Sequence, residues 1–419
     1  MTMPRILLFL ALMLTRTAAQ TDSVQAKLPD LKTTEALGAG LFADTASTGM
    51  VLVVVRGNEV YFHGYGETAP GSHTAPTAQS MVRLCSLTKI FTTDLLSRLA
   101  AEKTLALDDP LAKYAPPRAV VPQREKPITL VDLATHTAGL ARELGTPPRG
   151  TPHFTYPDAK TRWRWLASQQ LKSVPGTEAL YSNVGYDLLG DALARAARKP
   201  LPDLLLERTL NPLKMWQTTY YPTPEQCARL MTSAHDDGAC TPAYQTAGSG
   251  GLYSTAADMT TWLKYLLGTG APQLPAQDAA AQAVVLDPAR LKKEFGLDHA
   301  GAPTGIGLGW MHLGQPGDAA HIIEKTGGGA GFSTYIALLP ARHAGLFVAV
   351  TDGPIGWQKN LFKEANNALL ALNSLPPLPE EPSHPVHRAA HKARQKPGAK
   401  AARKATPKTR QKAAPRRRK

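Results

Sequence analysis

The apolar positions of the chain predict strands near its N-terminal end. Met50–Val55 is a continuous apolar run, the turn signal Gly57-Asn58 follows it, and Glu59–Tyr65 returns as a second strand-like run. This arrangement is typical of a β-hairpin. Residues 29–44, which precede the hairpin, have the spacing of an amphipathic helix.

Strand patterns are found again near the C-terminal end of the chain. They cover Gly305–Leu313, Ala320–Lys325, Phe332–Leu339 and Gly345–Val350. A helical pattern over Trp357–Leu372 follows them. We therefore expect strands at both ends of the folded part of the chain.

The stretch between these strands, from residue 105 to about 297, is rich in proline and predominantly helical in pattern. Thr129 is placed to cap a helix over Leu130–Thr135, and further helices are predicted near Tyr186–Ala197 and over Met259–Leu267. Strands at both ends predict one antiparallel sheet built from both ends of the chain. We expect an α/β (α+β) fold over residues 20–373, with a mostly helical subdomain inserted at about 105–297.

The N-terminal segment has the pattern of a secretory signal peptide. Arg5 supplies a basic start, and Ile6–Leu14 is an apolar run too short to span a bilayer. Thr17-Ala18-Ala19 offers small residues before a cleavage point near Gln20. We expect residues 1–19 to be removed and the mature chain to be exported; an uncleaved membrane anchor is the alternative.

The positive charge of the chain is confined to its C-terminal end. The net charge of +14 equals the number of basic residues after Glu381, where no acidic residue occurs. Residues 374–419 lack periodicity and are rich in Pro, Ala, Lys and Arg, which predicts a disordered tail. Such a tail either binds an anionic cell-surface polymer or lipid through counterion release or remains solvated. Export argues against nucleic acid as its partner.

Ser86 and Lys89 provide the first candidate chemistry. Apolar residues recur at helical spacing from Leu87 on, so Ser86 lies at the start of an amphipathic helix that runs to about Ala101. Positions i and i+3 share one helix face, which brings Lys89 against the serine hydroxyl. A desolvated lysine amine can take the proton of a serine, so the pair is a candidate nucleophile and base.

Two later motifs supply partners for this pair. Tyr181 and Asn183 lie on a loop before a helix, and both can face one cleft. A phenol held near ammonium groups can lose its proton below its usual pKa of about 10 and act as a base. Lys325, Thr326 and glycines 327–329 lie at the end of a predicted strand, where they offer a cation, a hydroxyl and close backbone approach. Each motif alone is also compatible with an ordinary turn.

Together and in this order, the three motifs resemble those of the penicillin-recognising serine acyl-transferases. The Tyr-x-Asn form of the middle motif is similar to that of class C β-lactamases and their DD-peptidase relatives. Residues 113–117, 133–140 and 248–255 also resemble stretches of that family. Over roughly residues 30–372 the chain most resembles the AmpH-type D-alanyl-D-alanine carboxypeptidase/endopeptidases, class C-like penicillin-binding proteins of the bacterial periplasm.

The resemblance implies a serine β-lactamase/transpeptidase-like fold, no cofactor, and peptidoglycan peptides and β-lactams as ligands. It implies that Ser86 attacks a D-Ala-D-Ala or D-Ala-diaminopimelate bond. Lys89 and Tyr181 would relay the serine proton, and Asn183 would orient Lys89 and the substrate amide. The implied product is an acyl-enzyme that water then hydrolyses.

The resemblance also implies how the substrate is held. Lys325 and Thr326 would face its carboxylate, and the backbone N–H groups of Ser86 and Gly328 would form the oxyanion hole. Near the position where class C β-lactamases carry a glutamine, this chain has Glu143. An acid there favours peptide cleavage over β-lactam hydrolysis. A class C β-lactamase and a serine esterase on the same fold remain the alternatives.

The cysteines and histidines give two further expectations. Cys227 and Cys240 lie close together in a polar stretch and should form a disulfide in an oxidising compartment, contributing about 3 kcal/mol. Cys85 fits a small buried core residue better than a catalytic thiol. No His-Glu-x-x-His pair occurs, and His136 fits a helix end or the core better than a ligand, so no metal site is expected.

Overall fold

The computed structural model describes residues 28–234, 238–270, 279–297, 300–351 and 358–379. The strands are β1 (Gly49–Arg56), β2 (Glu59–Gly66), β3 (Met81–Arg83), β4 (Glu178–Leu180), β5 (Tyr253–Thr255), β6 (Lys293–Phe295), β7 (Pro303–Ile306), β8 (Met311–Leu313), β9 (Ile322–Gly329), β10 (Phe332–Leu339) and β11 (Ala344–Thr351). The α-helices are α1 (Thr34–Ala43), α2 (Thr88–Ala101), α3 (Leu130–Ala134), α4 (Ala159–Ala167), α5 (Asn183–Ala197), α6 (Leu201–Leu205), α7 (Asn211–Leu213), α8 (Pro224–Cys227), α9 (Ala256–Leu266) and α10 (Gln358–Leu372).

The main sheet joins the two ends of the folded chain. Its seven antiparallel strands run in the order β2-β1-β11-β10-β9-β8-β7. Strand β1 pairs with β11, so that Met50 lies opposite Val350 and Val55 lies opposite Gly345. The prediction of one antiparallel sheet from both ends of the chain is therefore confirmed.

Helices cover both faces of this sheet. Val51 and Val53 of β1 belong to one core, which they share with Phe91 of α2 and with residues of α9. Leu52 and Val54 belong to the other core, which they share with residues of α1 and α10. Burial on both faces explains why β1 is a continuous apolar run rather than an alternating pattern.

The segment Gly305–Leu313, predicted as one strand, forms two. Strands β7 and β8 are joined by a tight turn in which the Gly307 N–H donates to Trp310 O at 2.8 Å. Gly309 in this turn has a φ of +79°, a conformation that glycine adopts without steric cost. The apolar pattern continues through the turn, which is why the turn was missed.

The stretch 105–297, predicted without strands, contains three short ones. Strands β4 and β6 pair with each other, and β5 pairs with β3. Each is too short to show a period of two in the sequence. Helix α2 also differs from the expectation of an amphipathic helix, because every residue from Thr88 to Leu96 is buried.

The predicted signal peptide, residues 1–19, and nearly all of the predicted tail lie outside the described residues. Leu375 and Leu378, at the start of the predicted tail, are partly buried and pack against the core that contains residues of α1 and α10. Within the described ranges, we find no helix with the length and apolar character needed to cross a membrane.

Candidate active site

Ser86 lies in a tight turn at the entrance of helix α2. One 3-10 turn, Cys85–Leu87, precedes the helix, and Cys85 has a left-handed φ of +52°. Strand β9 packs against this turn through Gly327. A Cβ atom on Gly327 would lie 2.8 Å from Leu84 O and 3.1 Å from Ser86 N. Only glycine leaves room for this approach, which fixes the backbone of Ser86 beside β9.

The Lys89 side chain reaches the hydroxyl of Ser86, as the i, i+3 spacing predicted. Its Nζ lies 3.1 Å from Ser86 Oγ, 2.7 Å from Asn183 Oδ1 and 2.7 Å from Ser249 O. The Ser249 carbonyl oxygen can only accept a hydrogen bond. The same holds for Asn183 Oδ1, whose identity follows from the amide group: Asn183 Nδ2 donates to the Glu143 carboxylate. Two N–H bonds of Lys89 are thereby committed, and the remaining position of the nitrogen faces Ser86 Oγ.

The surroundings of Lys89 favour the neutral amine. Burial, assisted by the charges of Lys325 and Arg142, holds the pKa of Lys89 well below its usual value. The carboxylates of Asp187 and Glu143 act in the opposite direction. A neutral amine has a lone pair at its remaining position, so Lys89 can accept the proton of the serine hydroxyl.

Tyr181 contacts the same serine oxygen. Ser182 caps helix α5, and this cap holds Tyr181 just before the helix and Asn183 in its first turn. The Tyr181 hydroxyl lies 2.7 Å from Ser86 Oγ. The serine oxygen is therefore placed between an amine and a phenol, each of which can exchange a proton with it.

Two cations, Lys325 and Arg142, and the Lys89 amine surround the ring of Tyr181. The distances to the ring centroid are 5.0 Å from Lys89 Nζ, 5.4 Å from Lys325 Nζ and 4.5 Å from the guanidinium carbon of Arg142. The positive charges of Lys325 and Arg142 stabilise negative charge that develops on the phenol oxygen. The arrangement suits a tyrosine that passes a proton during a reaction.

His136 stacks on the same ring without adding a charge. The ring centroids of His136 and Tyr181 are 4.4 Å apart, and His136 Nδ1 accepts a hydrogen bond from the Ser182 N–H. Burial, together with the neighbouring cations, lowers the pKa of His136 well below its usual value. The imidazole is therefore neutral and serves as packing, which agrees with the expectation of a core histidine.

Strand β9 brings the third motif to the site. Lys325 and Thr326 are both 3% exposed, and the register of β9 against β10 holds them beside the turn that carries the serine. Gly328, on the same strand, lines a cleft of about 320 Å³ together with Ser86 and Glu143. Of the four positions predicted for substrate binding, Lys325, Thr326 and Gly328 therefore lie on one strand next to the nucleophile, and Asn183 lies on helix α5.

The structure places the three motifs at one site and adds groups that the sequence analysis missed. Ser86, Lys89, Tyr181 and Asn183 are in direct contact, and Lys325 lies over the tyrosine ring. The missed groups are Arg142, the carbonyl oxygen of Ser249, and Asp187, which accepts a hydrogen bond from the Ser249 N–H at 3.0 Å. An acidic residue among the apolar residues of α5 was the one signal that could have identified Asp187.

The expectations for the cysteines are confirmed. Cys227 and Cys240 form a disulfide with Cα atoms 5.7 Å apart. Cys85 is a buried free thiol, and burial raises its pKa to about 12, which leaves it protonated and unreactive at neutral pH. Over the part of the chain that the structure covers, no three His, Cys, Asp or Glu side chains are grouped as a metal site.

The fold and the arrangement around Ser86 define the class of this protein. A family model described as Beta-lactamase matches residues 33–360. The chain therefore belongs to the β-lactamase family, and the expected serine β-lactamase/transpeptidase-like fold is confirmed.

Within this family the chain is similar to D-alanyl-D-alanine peptidases. It is 42% identical to D-alanyl-D-alanine-carboxypeptidase/endopeptidase AmpH of Escherichia coli K12 over 339 residues, which cover 81% of this chain and 88% of that protein. The crystal structure of a β-lactamase/D-alanine carboxypeptidase from Yersinia pestis superimposes with a TM-score of 0.77 at 38% identity, covering 82% of this chain and 100% of that one. A class C β-lactamase from Rhodobacter sphaeroides, at 22% identity and a TM-score of 0.63, covers 82% of this chain and 99% of its own and supports the fold.

Proposed function

We propose that this chain is a serine DD-peptidase, both carboxypeptidase and endopeptidase, that cleaves D-alanyl bonds of peptidoglycan peptides through an acyl-enzyme. The proposal rests on the position of Ser86 Oγ, 3.1 Å from Lys89 Nζ and 2.7 Å from the Tyr181 hydroxyl. The 42% identity to the E. coli carboxypeptidase/endopeptidase supports the same reading.

In the first half-reaction, Ser86 Oγ attacks the carbonyl carbon of the D-alanyl residue, and its proton passes to the neutral Lys89. The Tyr181 hydroxyl then donates its proton to the leaving nitrogen and is reprotonated by Lys89. Asn183 keeps the lysine amine aligned through its Oδ1 at 2.7 Å. The products of this step are the serine ester and the free amine, which carries the proton that the serine hydroxyl gave up, and Lys89 and Tyr181 return to their starting protonation states.

The substrate is held by the backbone of the serine turn and of β9. The N–H groups of Ser86 and Gly328 donate to the oxyanion of the tetrahedral intermediate, a contribution of about 3 kcal/mol per donor. Lys325 and Thr326 receive the substrate carboxylate. In the second half-reaction, a water molecule attacks the ester while Tyr181 and Lys89 take up its proton and return one to Ser86 Oγ.

Covalent labelling tests the nucleophile directly. Fluorescent penicillin should label the protein, and Ser86→Ala should remove the label. Cys85→Ala is the matched control, because it changes the adjacent residue without changing the backbone strain at φ +52°. A Ser86→Ala variant that is still labelled would refute the proposal.

Product analysis separates the peptidase from its alternatives on the same fold. Purified protein should release D-alanine and split cross-linked dimers in a muropeptide digest followed by mass spectrometry. Glu143, which accepts a hydrogen bond from Asn183 in the cleft, favours the peptidase over a class C β-lactamase. Faster turnover of nitrocefin or of a short acyl ester than of muropeptides would assign the chain to the β-lactamase or esterase alternative.

We also propose that residues 1–19 direct the chain to the periplasm and that the basic tail tethers it to an anionic surface polymer or lipid. The fourteen basic residues after Glu381, with no acidic residue among them, support the second part. Truncation after Glu381 should weaken co-sedimentation with membranes and sacculi at low salt. Unchanged co-sedimentation would show that the tail is not a tether.

A further inference from the structure

A groove outside the catalytic cleft combines exposed cations with an apolar floor. It has a volume of about 1000 Å³ and is lined by helices α4 and α5, by residues 116–120, and by residues 198–200. None of its lining residues lines the catalytic cleft. A function assigned to this groove is therefore independent of the peptidase reaction.

The rim of the groove is rich in positive charge. It bears five exposed cations, Arg118, Lys160, Arg164, Arg195 and Arg198. None of the five forms an ion pair with another described residue. Such a cluster focuses a positive potential over the groove.

The one acidic residue that lines the groove is already engaged. Asp191 accepts two hydrogen bonds from Arg162, at 2.6 and 2.8 Å, and a third from Trp163 Nε1 at 2.8 Å. The first 381 residues hold equal numbers of basic and acidic side chains, so the rim is a local excess in a neutral body. An anionic ligand is the natural complement of this rim.

The floor of the groove is apolar. It is formed by prolines 116, 117 and 200, by alanines of α4 and α5, and by the side chains of Val120 and Trp163. Val120 is 60% exposed, although most aliphatic side chains of the fold are buried. Covering these side chains removes apolar surface from water, which a small inorganic anion cannot do.

We propose that this groove binds an anionic phospholipid, with an acyl chain on the apolar floor and the phosphate against the guanidinium groups of the rim. A neutral lipid would leave the five cations uncompensated. Four of the five are arginines, whose planar fork suits bidentate contact with phosphate oxygens. The folded body thereby holds itself at an anionic membrane surface without using the C-terminal tail.

Two variants of equal charge distinguish the groove from general attraction. The full-length groove variant carries Lys160→Glu, Arg164→Glu and Arg195→Glu. The control variant carries Lys32→Glu, Lys103→Glu and Lys172→Glu, which are exposed lysines outside the groove. Both variants have the same net charge and the same tail, so their difference reports on the groove alone.

The readout is titration calorimetry with monomeric lysophosphatidylglycerol and, for comparison, lysophosphatidylcholine. The wild-type protein should prefer the anionic lipid, and the groove variant should lose about 100-fold in affinity, at roughly fivefold per cation. The control variant should bind within about threefold of wild type, as expected for screened, distant charges. Val120→Ser, which leaves the charge unchanged, should weaken binding about fivefold through lost apolar contact.

Three results would overturn the proposal. Equal losses in the groove and control variants would assign binding to overall charge. Equal affinity for the anionic and the neutral lipid would remove the role of the rim. Binding of a pentaglutamate peptide that the groove variant loses, with no binding of either lipid, would assign the groove to acidic peptides. Muropeptide cleavage, unchanged in both variants, confirms that each is folded.

Discussion

Helix α2 carries two buried polar clusters, one around Lys89 in its first turn and one around Asp94 in its middle. Both side chains are almost completely buried, at 0% and 1% exposure. The neighbours of Asp94 donate hydrogen bonds to its carboxylate, whereas the surroundings of Lys89 disfavour the charged, ammonium form of its amine. This difference separates a structural site from a reactive site on the same helix.

The Asp94 carboxylate has donors on both oxygens. Oδ2 accepts from Arg98 Nε and from Thr209 Oγ1, each at 3.0 Å, and Oδ1 accepts from the Tyr265 hydroxyl at 2.9 Å. Arg98 also donates to Tyr265, so the cluster is closed on itself. A buried carboxylate with this many donors has its hydrogen-bonding capacity satisfied within the protein.

The Lys89 amine, in contrast, is held by acceptors without a formal negative charge in contact with it. Its partners are an amide oxygen, a backbone carbonyl and a serine hydroxyl. Lys325, which lies over the neighbouring tyrosine ring, also disfavours the ammonium form of Lys89. Two buried clusters of similar depth can therefore be told apart by whether the central charge is compensated.

Lys89→Met should produce the largest effect, and it should be an effect on activity. We expect kcat/KM for muropeptides to fall at least about 10³-fold, because the proton acceptor of the serine is lost. Stability should change by only about 1 kcal/mol, since the variant removes a desolvated amine but leaves two acceptors without a donor. Steady-state kinetics and urea unfolding measure the two quantities.

Lys172→Met, at an exposed lysine, is the control for Lys89→Met and should leave both quantities unchanged. If Lys89→Met retained activity within tenfold of wild type, Lys89 could not be the group that accepts the serine proton.

Asp94→Ala should produce the opposite pattern. We expect the free energy of unfolding to fall by about 3 kcal/mol, because Arg98, Thr209 and Tyr265 lose a shared acceptor and the partly buried Arg98 loses its counter-charge. The kcat/KM of the folded fraction should stay within about twofold, since none of these groups contacts Ser86. Urea unfolding and kinetics at 15 °C provide the measurements.

Asp44→Ala removes an exposed carboxylate and is the matched control for Asp94→Ala. Its stability should change by less than about 0.5 kcal/mol. A large loss of kcat/KM in folded Asp94→Ala protein would contradict the division of α2 into a structural and a reactive cluster.

The parts of this fold and site that the sequence predicted are those with a local cause. The central strands are buried on both faces, and such strands give long apolar runs that flanking loops do not resemble. The contact between Ser86 and Lys89 follows from helix geometry alone. No local rule places Tyr181 and Lys325 beside a serine. Their place at the site was predicted from the order of the three motifs along the chain.

The parts that the sequence did not predict depend on contacts between distant segments. Ser249 acts through its backbone carbonyl, which any residue could supply, so its type carries no signal. Arg142 lies after a short helix in an irregular loop, and only the folded chain shows that it covers Tyr181. Strands β4 and β6 are each three residues long, which is too short to show an alternating pattern in the sequence. They can be recognised only in the folded chain, where they pair with each other.

The pH dependence of activity tests whether the neutral form of Lys89 is the reactive one, and the expected effect is the smallest of those predicted. Asp187 raises the pKa of Lys89, so Asp187→Asn should lower that pKa further. The amine then stays neutral to lower pH, and the acid limb of the kcat/KM profile should move to lower pH. Glu143→Gln should move the limb in the same direction but less, because Glu143 has the weaker influence on Lys89. Asp44→Asn, far from the site, should leave the limb where it is, and a shift to higher pH in Asp187→Asn would mean that a group other than Lys89 titrates there.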